Sequence, residues 1–578
     1  MDSRTAAHVL EQIAAYLELE GENSLKCRAY AGAAKGLRAL SVDDLSESYH
    51  SGALGQVRGL GPATLAVVRD LVETGESRLL EQLREGAPEG LLEMLDIPGM
   101  TPARIHHIHE ELSIASIEEL EAAAQDGRLA NLPKLGPKTA AKILKGIAAA
   151  REYGSLRLYH HAIIEAQPIL AAVRGHPDVE RAELAGALRR HLEVVGTIDI
   201  VAACTSDPVA VARSFTHASS VRSSAVTGAF ASIHYVDGAH LELRCVEPDQ
   251  FGVALWQATG AESHVADVSR QLTLQGIVVA NGALRDRRNH VRITRDEGDV
   301  YSAAHLPVIE PELREGLGEV DAAARRALPT LLTARDICGA LHCHSRYSDG
   351  KASIAEMAEA AQHRGWSYIG ITDHSQAAFY AGGLTPDQVL AQHDEIDALN
   401  SDAKNFRILK GIEADILADG QLDYSDELLD RFDYVIGSIH SRFTMDRITM
   451  TERVLRALDD PRLTILAHPT GRLLLSRDAY AIDLDAVIEK AAEVRAAVEL
   501  NADPHRLDLD WRHLRKAKQL RVQIEIGPDA HSTSGLDYLE IGVGMARKGW
   551  LERHDVLNAR SASEVIAFAR ARRMDRTE

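Results

Sequence analysis

From residue 337 to the C-terminus, short apolar runs alternate with helix-forming stretches, and each run stops at a residue able to bind a metal. "GALHCHS" stops at His342 and His344, "YIGITDHS" at Asp373 and His374, and "RILKGIEADI" carries Glu413. "DYVIGSIHS" stops at His440, "LTILAHP" at His468, "AAVELNAD" at Glu499 and Asn501, and "VQIEIGPDAHS" at Asp529 and His531. Such alternation predicts βα units and a barrel-like parallel sheet. The C-terminal ends of its strands open on one face, so residues distant in sequence meet there. Side chains two apart on a strand point the same way, which lets His342 and His344 approach one centre. A mixed imidazole and carboxylate set suits zinc, manganese or iron better than calcium. Bridging carboxylates favour a cluster of two or three ions. A lone HxH would say little; the same feature at seven successive strand ends carries the argument.

The 578 residues leave room for about three or four domains. At 45% hydrophobic and 26% charged residues the composition is that of a globular protein. No apolar run reaches the roughly 18 residues of a membrane span. The first segment, "MDSRTAAHVLEQIAAYLELE", is amphipathic and acidic and lacks the pattern of a secretory signal. Cys27, Cys204, Cys245, Cys338 and Cys343 are scattered without a CxxC pair, which argues against a disulfide framework and predicts a reducing cytoplasm. The net charge of −21 disfavours a nucleic-acid partner held by bulk electrostatics. Such a partner has to be held by local basic patches, backbone N–H groups or bound cations.

The first 150 residues read as helical, with three similar breaks: "VRGLGPATLAVV" (57–68), "IPGMTPARIHHI" (97–108) and "LPKLGPKTAAKI" (132–143). Each has an apolar residue, a tight turn, a Pro and a new helix. This is the outline of a helix-hairpin-helix, whose turn and following helix N-terminus face a DNA phosphate. Gly59, Gly61, Gly99, Lys134, Gly136 and Lys138 are the candidate DNA-binding residues. Thr101 and Lys134 stand where a glycine would ease the turn, predicting a looser grip there. His106, His107 and His109 share one helix and are expected on its solvated or DNA-facing surface; His160 and His161 read as helix surface.

Residues 337–578 resemble a PHP (polymerase and histidinol phosphatase) domain. The resemblance implies a distorted seven-stranded βα barrel that hydrolyses phosphoesters with up to three ions, manganese or zinc. It assigns the ligand positions to His342, His344, Asp349, His374, Glu413, His440, His468, Asp529 and His531, with none missing. The metal cluster and its activated water are then the catalytic apparatus. Arg346, Arg442 and Arg472 follow ligand strands and are candidate clamps for a substrate phosphate.

The first 325 residues resemble a family X DNA polymerase of the bacterial type with a C-terminal PHP domain. "LELEGENSLKCRAYAGAAKGL" (17–37), the three hairpins, "AGALRRHLEVVGTIDI" (185–200), "LELRCV" (241–246) and "YSAAHLPVIEPELREGLGEV" (301–320) carry the likeness. Members share a Gly-Ser turn, a strand with two Asp one residue apart, and a third Asp on a neighbouring strand that together hold magnesium. Here the turn is Gly186-Ala187, the first Asp is replaced by Thr197, Asp199 is retained and Glu242 stands third. Arg190 and Gly196 match the nucleotide-phosphate contacts. Thr197 supplies a neutral oxygen where cations need charge, so magnesium binding there is doubtful and nucleotide transfer is expected to be weak or lost. Glu193, nearby in sequence, is the candidate substitute carboxylate. Lys26 and Lys35 fall in the segment that in some members removes a sugar-phosphate through a Schiff base.

The expected fold is multidomain. A helical helix-hairpin-helix region leads into an α+β nucleotidyltransferase-like palm and thumb, and a distorted (βα)7 PHP barrel ends the chain. The boundaries expected are 1–90 for the N-terminal helical domain with the first hairpin and 91–150 for a fingers-like hairpin pair. The palm takes 151–230, the rest of palm and thumb 231–325, a linker 326–336 and the phosphoesterase 337–578. The function expected is DNA repair by metal-dependent 3'-5' exonuclease action on gapped or 3'-end DNA, in the cytoplasm and without a membrane partner. The alternatives are an active gap-filling polymerase with an attached exonuclease, and a DNA-binding scaffold whose barrel is a small-molecule phosphatase.

Overall fold

The fold is taken from a computed structural model, which describes all residues except 1–2, 20, 41–44, 58, 75–76, 87–89, 98, 134, 154–155, 219, 236–237, 404 and 575–578. The chain forms two compact units. The first is Met1–Leu156 with Arg213–Val226 and Ala231–Leu241; the second is Arg157–Ala212 with Thr227–Phe230 and Glu242–Glu578.

The first unit is mainly helical. Helices Ser3–Leu19 and Ser24–Leu40 bury Leu10, Ile13, Leu17, Tyr30 and Leu37 at helical spacing. A second small core joins Met94, Ile97, Ile105, Ile108, Leu120 and Ile143. Gly59 and Gly99 turn the first two hairpins at φ of 98° and 88°. A Cβ on Gly59 would lie 2.6 Å from the Gly32 carbonyl oxygen, so glycine is required there by space as well as by conformation. Thr101 is not the residue that makes the turn. It is extended (φ −127°) and caps the helix Pro102–Leu112 by accepting from the Arg104 N–H, so no glycine is needed at that position. Gly61, at the same place before the helix Pro62–Thr74, has no side chain to cap with and instead donates its N–H to the Thr64 hydroxyl at 2.9 Å. Gly136 precedes the helix Pro137–Tyr153, on which Lys138 is exposed; Lys134 lies outside the described residues. The three helix histidines are engaged with carbonyls: His106 with Leu19, His107 with Pro133 and His109 with Ile114. Lys26 pairs with Glu22 at 3.0 Å, and Lys35 is exposed.

In the second unit the helix Tyr159–Arg174 leads into the strand Val179–Leu184, which pairs antiparallel with Ile198–Cys204. His160 and His161 sit at that helix's start, where the His160 ring approaches His505.

Residues from 337 on fold into parallel strands, each followed by a helix. Gly339–Ala340, Tyr368–Ile371 and Arg407–Lys410 pair in that order, as do Glu413–Asp415, Val435–Ser438, Leu463–Leu466, Ala497–Asn501 and Ile524–Gly527. Two isolated parallel bridges continue the ladder: His374–Glu413 links the two sets, and Cys343–Ala530 brings the last strand beside the first. Counting 407–415 as one interrupted strand, this is the expected seven. The short apolar runs become strands because both faces are covered. The outer face packs on helices through Met357, Ile396, Val454, Ile488, Leu514 and Leu539. The inner face closes on Leu341, Tyr368, Leu409, Tyr434, Ile436 and Ile465. Gly370 admits the Tyr434 ring to that interior, since a Cβ there would lie 1.8 Å from its hydroxyl. Helix starts are marked in the sequence: Ser353 with Glu356 and Thr385 with Gln388 form capping boxes, and Asp446 caps the helix Arg447–Asp459.

Candidate metal centre

The nine side chains assigned as ligands converge at the C-terminal ends of these strands. His344, Asp349, His374 and His531 form one group of mutually close donor atoms; His342, His344 and Asp529 form a second; His374, Glu413 and His440 form a third. His468 joins through Nε2, 3.1 Å from Glu413 Oε1. Glu413 is the hub. Its oxygens lie 2.7 Å from His374 Nδ1, 3.3 Å from His440 Nε2 and 3.6 Å from His342 Nε2. Asp529 Oδ1 lies 3.2 Å from His344 Nε2 and 3.6 Å from His342 Nε2. Asp349 Oδ1 stands 3.3 Å from His531 Nε2 and 3.6 Å from His374 Nε2. Burial is graded: the side chains of His342 and His344 are 0% exposed, whereas Asp349 and His531 are both 37% exposed and mark the open side. Asp529 (φ 49°) and His468 (φ 23°) take up left-handed backbone at these strand ends, a conformation that concentrates at functional sites.

A further layer of groups orients these rings. His342 Nδ1 is 2.5 Å from Glu499 Oε1, and His440 Nδ1 is 2.7 Å from Asp415 Oδ1. Asn501 donates to both Asp529 and Glu499. Each pairing leaves Nε2 of its histidine facing the cluster, the usual way a protein fixes a ligand tautomer. Asp373 has a different job. It accepts from Ser345 N–H at 2.8 Å, from the Ser345 and Ser348 hydroxyls and from Gln392 at 2.6 Å, and so anchors the loop that carries Asp349.

The donor set fits divalent cations. His342 Nε2 and both ring nitrogens of His344 are buried and make no hydrogen bond, an arrangement that costs stability unless something else satisfies them. Burial, with His374 and His531 close by, pushes the His344 imidazole down to about 3, so the ring is neutral, as a ligand must be. Burial alone would raise the Glu413 carboxyl. The imidazoles of His374, His440 and His342 outweigh it and hold Glu413 ionised, well below the usual carboxylate range.

The proposed phosphate clamps fare differently. Arg472 is a brace: its guanidinium binds Asp510 at 2.6 Å and the carbonyls of Arg506 and Leu507, which commits three of its five N–H donors within the protein. Arg346 pairs with Glu356 at 3.1 Å and with the Lys351 carbonyl. Arg442 is exposed at φ 57°. The sequence reading missed Arg506, whose Nε lies 3.5 Å from Asp529 Oδ2 at the edge of the cluster. It belongs to no motif, because it sits on the 502–510 loop rather than at a strand end.

The polymerase-like centre is assembled but altered. Gly186 is at φ 60°, and a Cβ there would lie 2.1 Å from Asp199 Oδ2, so glycine lets the turn close over Asp199. Thr197 donates its hydroxyl to Asp199 Oδ2 at 2.9 Å. Burial pushes the Asp199 carboxyl up to about 6; Thr197 opposes the shift and neighbouring Glu242 adds to it. Gly196 stands three residues before Asp199, and Ala187 follows Gly186 in the turn. Arg190, expected to face a nucleotide phosphate, binds Glu315 at 2.8 Å and the Thr259 carbonyl at 2.6 Å. Lys548, on a barrel helix, donates to the Arg190 carbonyl at 3.1 Å and also to Glu315. Glu193 is no substitute carboxylate: it accepts from Trp511 at 3.1 Å and Arg512 at 2.6 Å, committed to the barrel side.

Comparison with known proteins agrees with this geometry. Residues 340–502 match the PHP domain, 1–77 a helix-hairpin-helix domain and 91–149 a SAM-like helix-hairpin-helix tandem. A "DNA polymerase/3'-5' exonuclease PolX" of Bacillus subtilis (strain 168) is 36% identical over 574 residues, 98% of this chain and 99% of that protein. A "probable phosphatase" of Syntrophotalea carbinolica is 31% identical over 166 residues, 28% of this chain and 64% of its own length. One from Thermoanaerobacter sp. (strain X514) is 26% identical over 229 residues, 38% of this chain and 88% of its own. With helix-hairpin-helix regions, a polymerase-like centre and a PHP domain in one continuous match, the chain belongs to the bacterial family X DNA polymerases that carry a C-terminal PHP domain.

Proposed function

We propose that this protein is a DNA-repair enzyme that removes nucleotides from 3' ends at the barrel's metal centre, with its polymerase activity weak or lost. The convergence of nine donor side chains, with buried imidazole nitrogens aimed inward and lacking hydrogen bonds, carries the reading. Divalent cations in such a site lower the pKa of water toward neutrality and offset charge on a phosphoryl group. The chain's own residues do the rest. Glu413 and Asp529 supply the negative charge, Glu499 and Asp415 hold their histidines in one tautomer, and the half-exposed Asp349 and His531 leave the phosphodiester an entrance. Arg506, beside Asp529, is positioned to meet an incoming phosphate. The hairpin glycines and Lys138 are the proposed DNA-backbone grip. Manganese or zinc suits these donors, and the acting compartment is the cytoplasm.

The loss of polymerase activity is argued from Thr197 occupying Asp199 and from Glu315 and Lys548 occupying Arg190 and its backbone. A 5'-labelled primer on a one-nucleotide gap, with manganese and all four nucleotides, tests both halves. Shortening supports the proposal, and extension supports the polymerase alternative. Cleavage of a generic phosphomonoester without either supports a phosphatase barrel, the activity named in the partial relatives. The His342→Ala/His344→Ala variant should abolish shortening; shortening at full rate in that variant would remove the barrel as its site.

A further inference from the structure

Among the described residues, Phe379 and Tyr380 are the only aromatic side chains among the strongly exposed large hydrophobics, at 84% and 62%. They are adjacent in sequence, meet edge to face with centroids 6.0 Å apart, and stand at the metal centre rather than elsewhere on the surface. The Tyr380 ring lies 6.4 Å from the imidazole of His440.

Their exposure is built in. Their short 3-10 turn, Phe379–Ala381, begins five residues after the ligand His374, and the backbone on both sides is pinned. Ser375 N–H donates to the Glu413 carbonyl at 3.0 Å, Ala377 N–H to the Asp423 carboxylate at 2.7 Å, and Leu384 N–H to the His374 carbonyl at 2.9 Å. Gly382 at φ 74° closes the turn, and Gly383 N–H returns to the Ala378 carbonyl at 3.1 Å. The same hydrogen bonds that seat His374 therefore hold two aromatic rings in solvent beside it. Single exposed apolar residues need no explanation, but a paired aromatic surface on a fixed loop marks a place where a flat apolar group binds.

We infer that Phe379 and Tyr380 form a stacking platform that takes the terminal nucleobase of a 3' end and so sets the adjoining phosphodiester over the metal centre. The inference rests on the exonuclease reading above and adds the substrate feature recognised: a base already free of its duplex partner, or one prised free. Every base has a π-face, so a platform of this kind accepts all four with little preference. It also predicts that single-stranded or frayed ends are taken before paired ones. Both residues are positioning residues; neither is assigned a part in the bond cleavage.

The test compares two 5'-labelled single-stranded oligonucleotides, with manganese, that differ only in whether the last nucleotide carries a base or is abasic. Wild type is expected to remove the base-bearing nucleotide roughly 5- to 160-fold faster in kcat/KM, the factor a single base–aromatic stack supplies. The Phe379→Ala/Tyr380→Ala variant should remove both at the wild-type abasic rate, and Phe379→Trp should keep the preference. A wild type that treats the two ends alike, or a double variant that keeps the preference, overturns the platform and leaves the exonuclease reading standing. A double variant slowed on the abasic end also overturns it, because the effect would then belong to a displaced His374. A wild type that shortens neither end overturns the platform and the exonuclease reading together.

Discussion

Glu499→Gln changes one buried oxygen into an N–H2 group and leaves the shape of the side chain intact. Glu499 is 0% exposed and works with both oxygens: Oε1 is 2.5 Å from His342 Nδ1, and Oε2 accepts the His468 N–H at 2.7 Å and Asn501 at 3.2 Å. Glutamine has one carbonyl oxygen and can serve only one side. Its N–H2 must then face a donor, either at His342 or at His468. Leaving a buried donor unpaired costs about 1–3 kcal/mol. Much of that cost falls on the orientation of a ligand ring, and changes of this kind weaken metal affinity by about 10- to 100-fold. The assay is the rate of 3' shortening as a function of manganese, alongside competition with a chelator. The curve should move to higher manganese by that factor, with the plateau within a few-fold of wild type. An unmoved midpoint, or a collapsed plateau at an unchanged midpoint, would refute the view that Glu499 acts by holding His342 toward the ions.

Two other outcomes follow from the second unit. Restoring the family's pattern with Thr197→Asp, Glu242→Asp and Ala187→Ser should raise magnesium-dependent primer extension by about 100-fold or more, since a misplacement near 1 Å costs about that much. Extension no better than wild type would place the block at Arg190 and Glu315 rather than at the carboxylates. Burial, reinforced by Arg190 and partly offset by Glu315, holds the Lys548 ammonium at about 8 instead of 10.5. Between those values the unfolded chain keeps a proton that the folded chain has released, so stability rises with pH there. The thermal midpoint of wild type relative to Lys548→Met should therefore climb from pH 8 to 10, and a constant difference would contradict the buried placement.

The barrel and its converging donor side chains were legible because two periodicities coincide. Apolar runs stop where the sheet ends, and the donor residues sit at those stops, so His342, Glu413, His468 and Asp529 could be read without coordinates. Partners that work through space were not legible. Glu499 and Asn501 stood at a strand end like the ligands, but only the 2.5 Å contact with His342 shows Glu499 acting from behind. Asp373 next to His374 was equally ambiguous until Ser345, Ser348 and Gln392 were seen around it. The arginines were ambiguous for a related reason. Arg472 follows a ligand strand, yet its guanidinium is engaged by Asp510 and two carbonyls, whereas Arg506 reaches Asp529 from a loop that has no pattern. In the hairpins, Thr101 looked like a missing glycine because the cap and the turn fall two residues apart. The positive φ belongs to Gly99, and Thr101 has a capping hydroxyl to offer.

The account stands on cations being held where the strands end. The direct measurement is the metal content of the purified protein after exposure to manganese and zinc and removal of unbound ions. Wild type is predicted to retain about two or more ions per chain, as a shared-carboxylate cluster does, and His342→Ala/His344→Ala to retain fewer and to leave 3' ends intact. A wild type that emerges without bound metal, or a double variant that keeps the full complement, would contradict it.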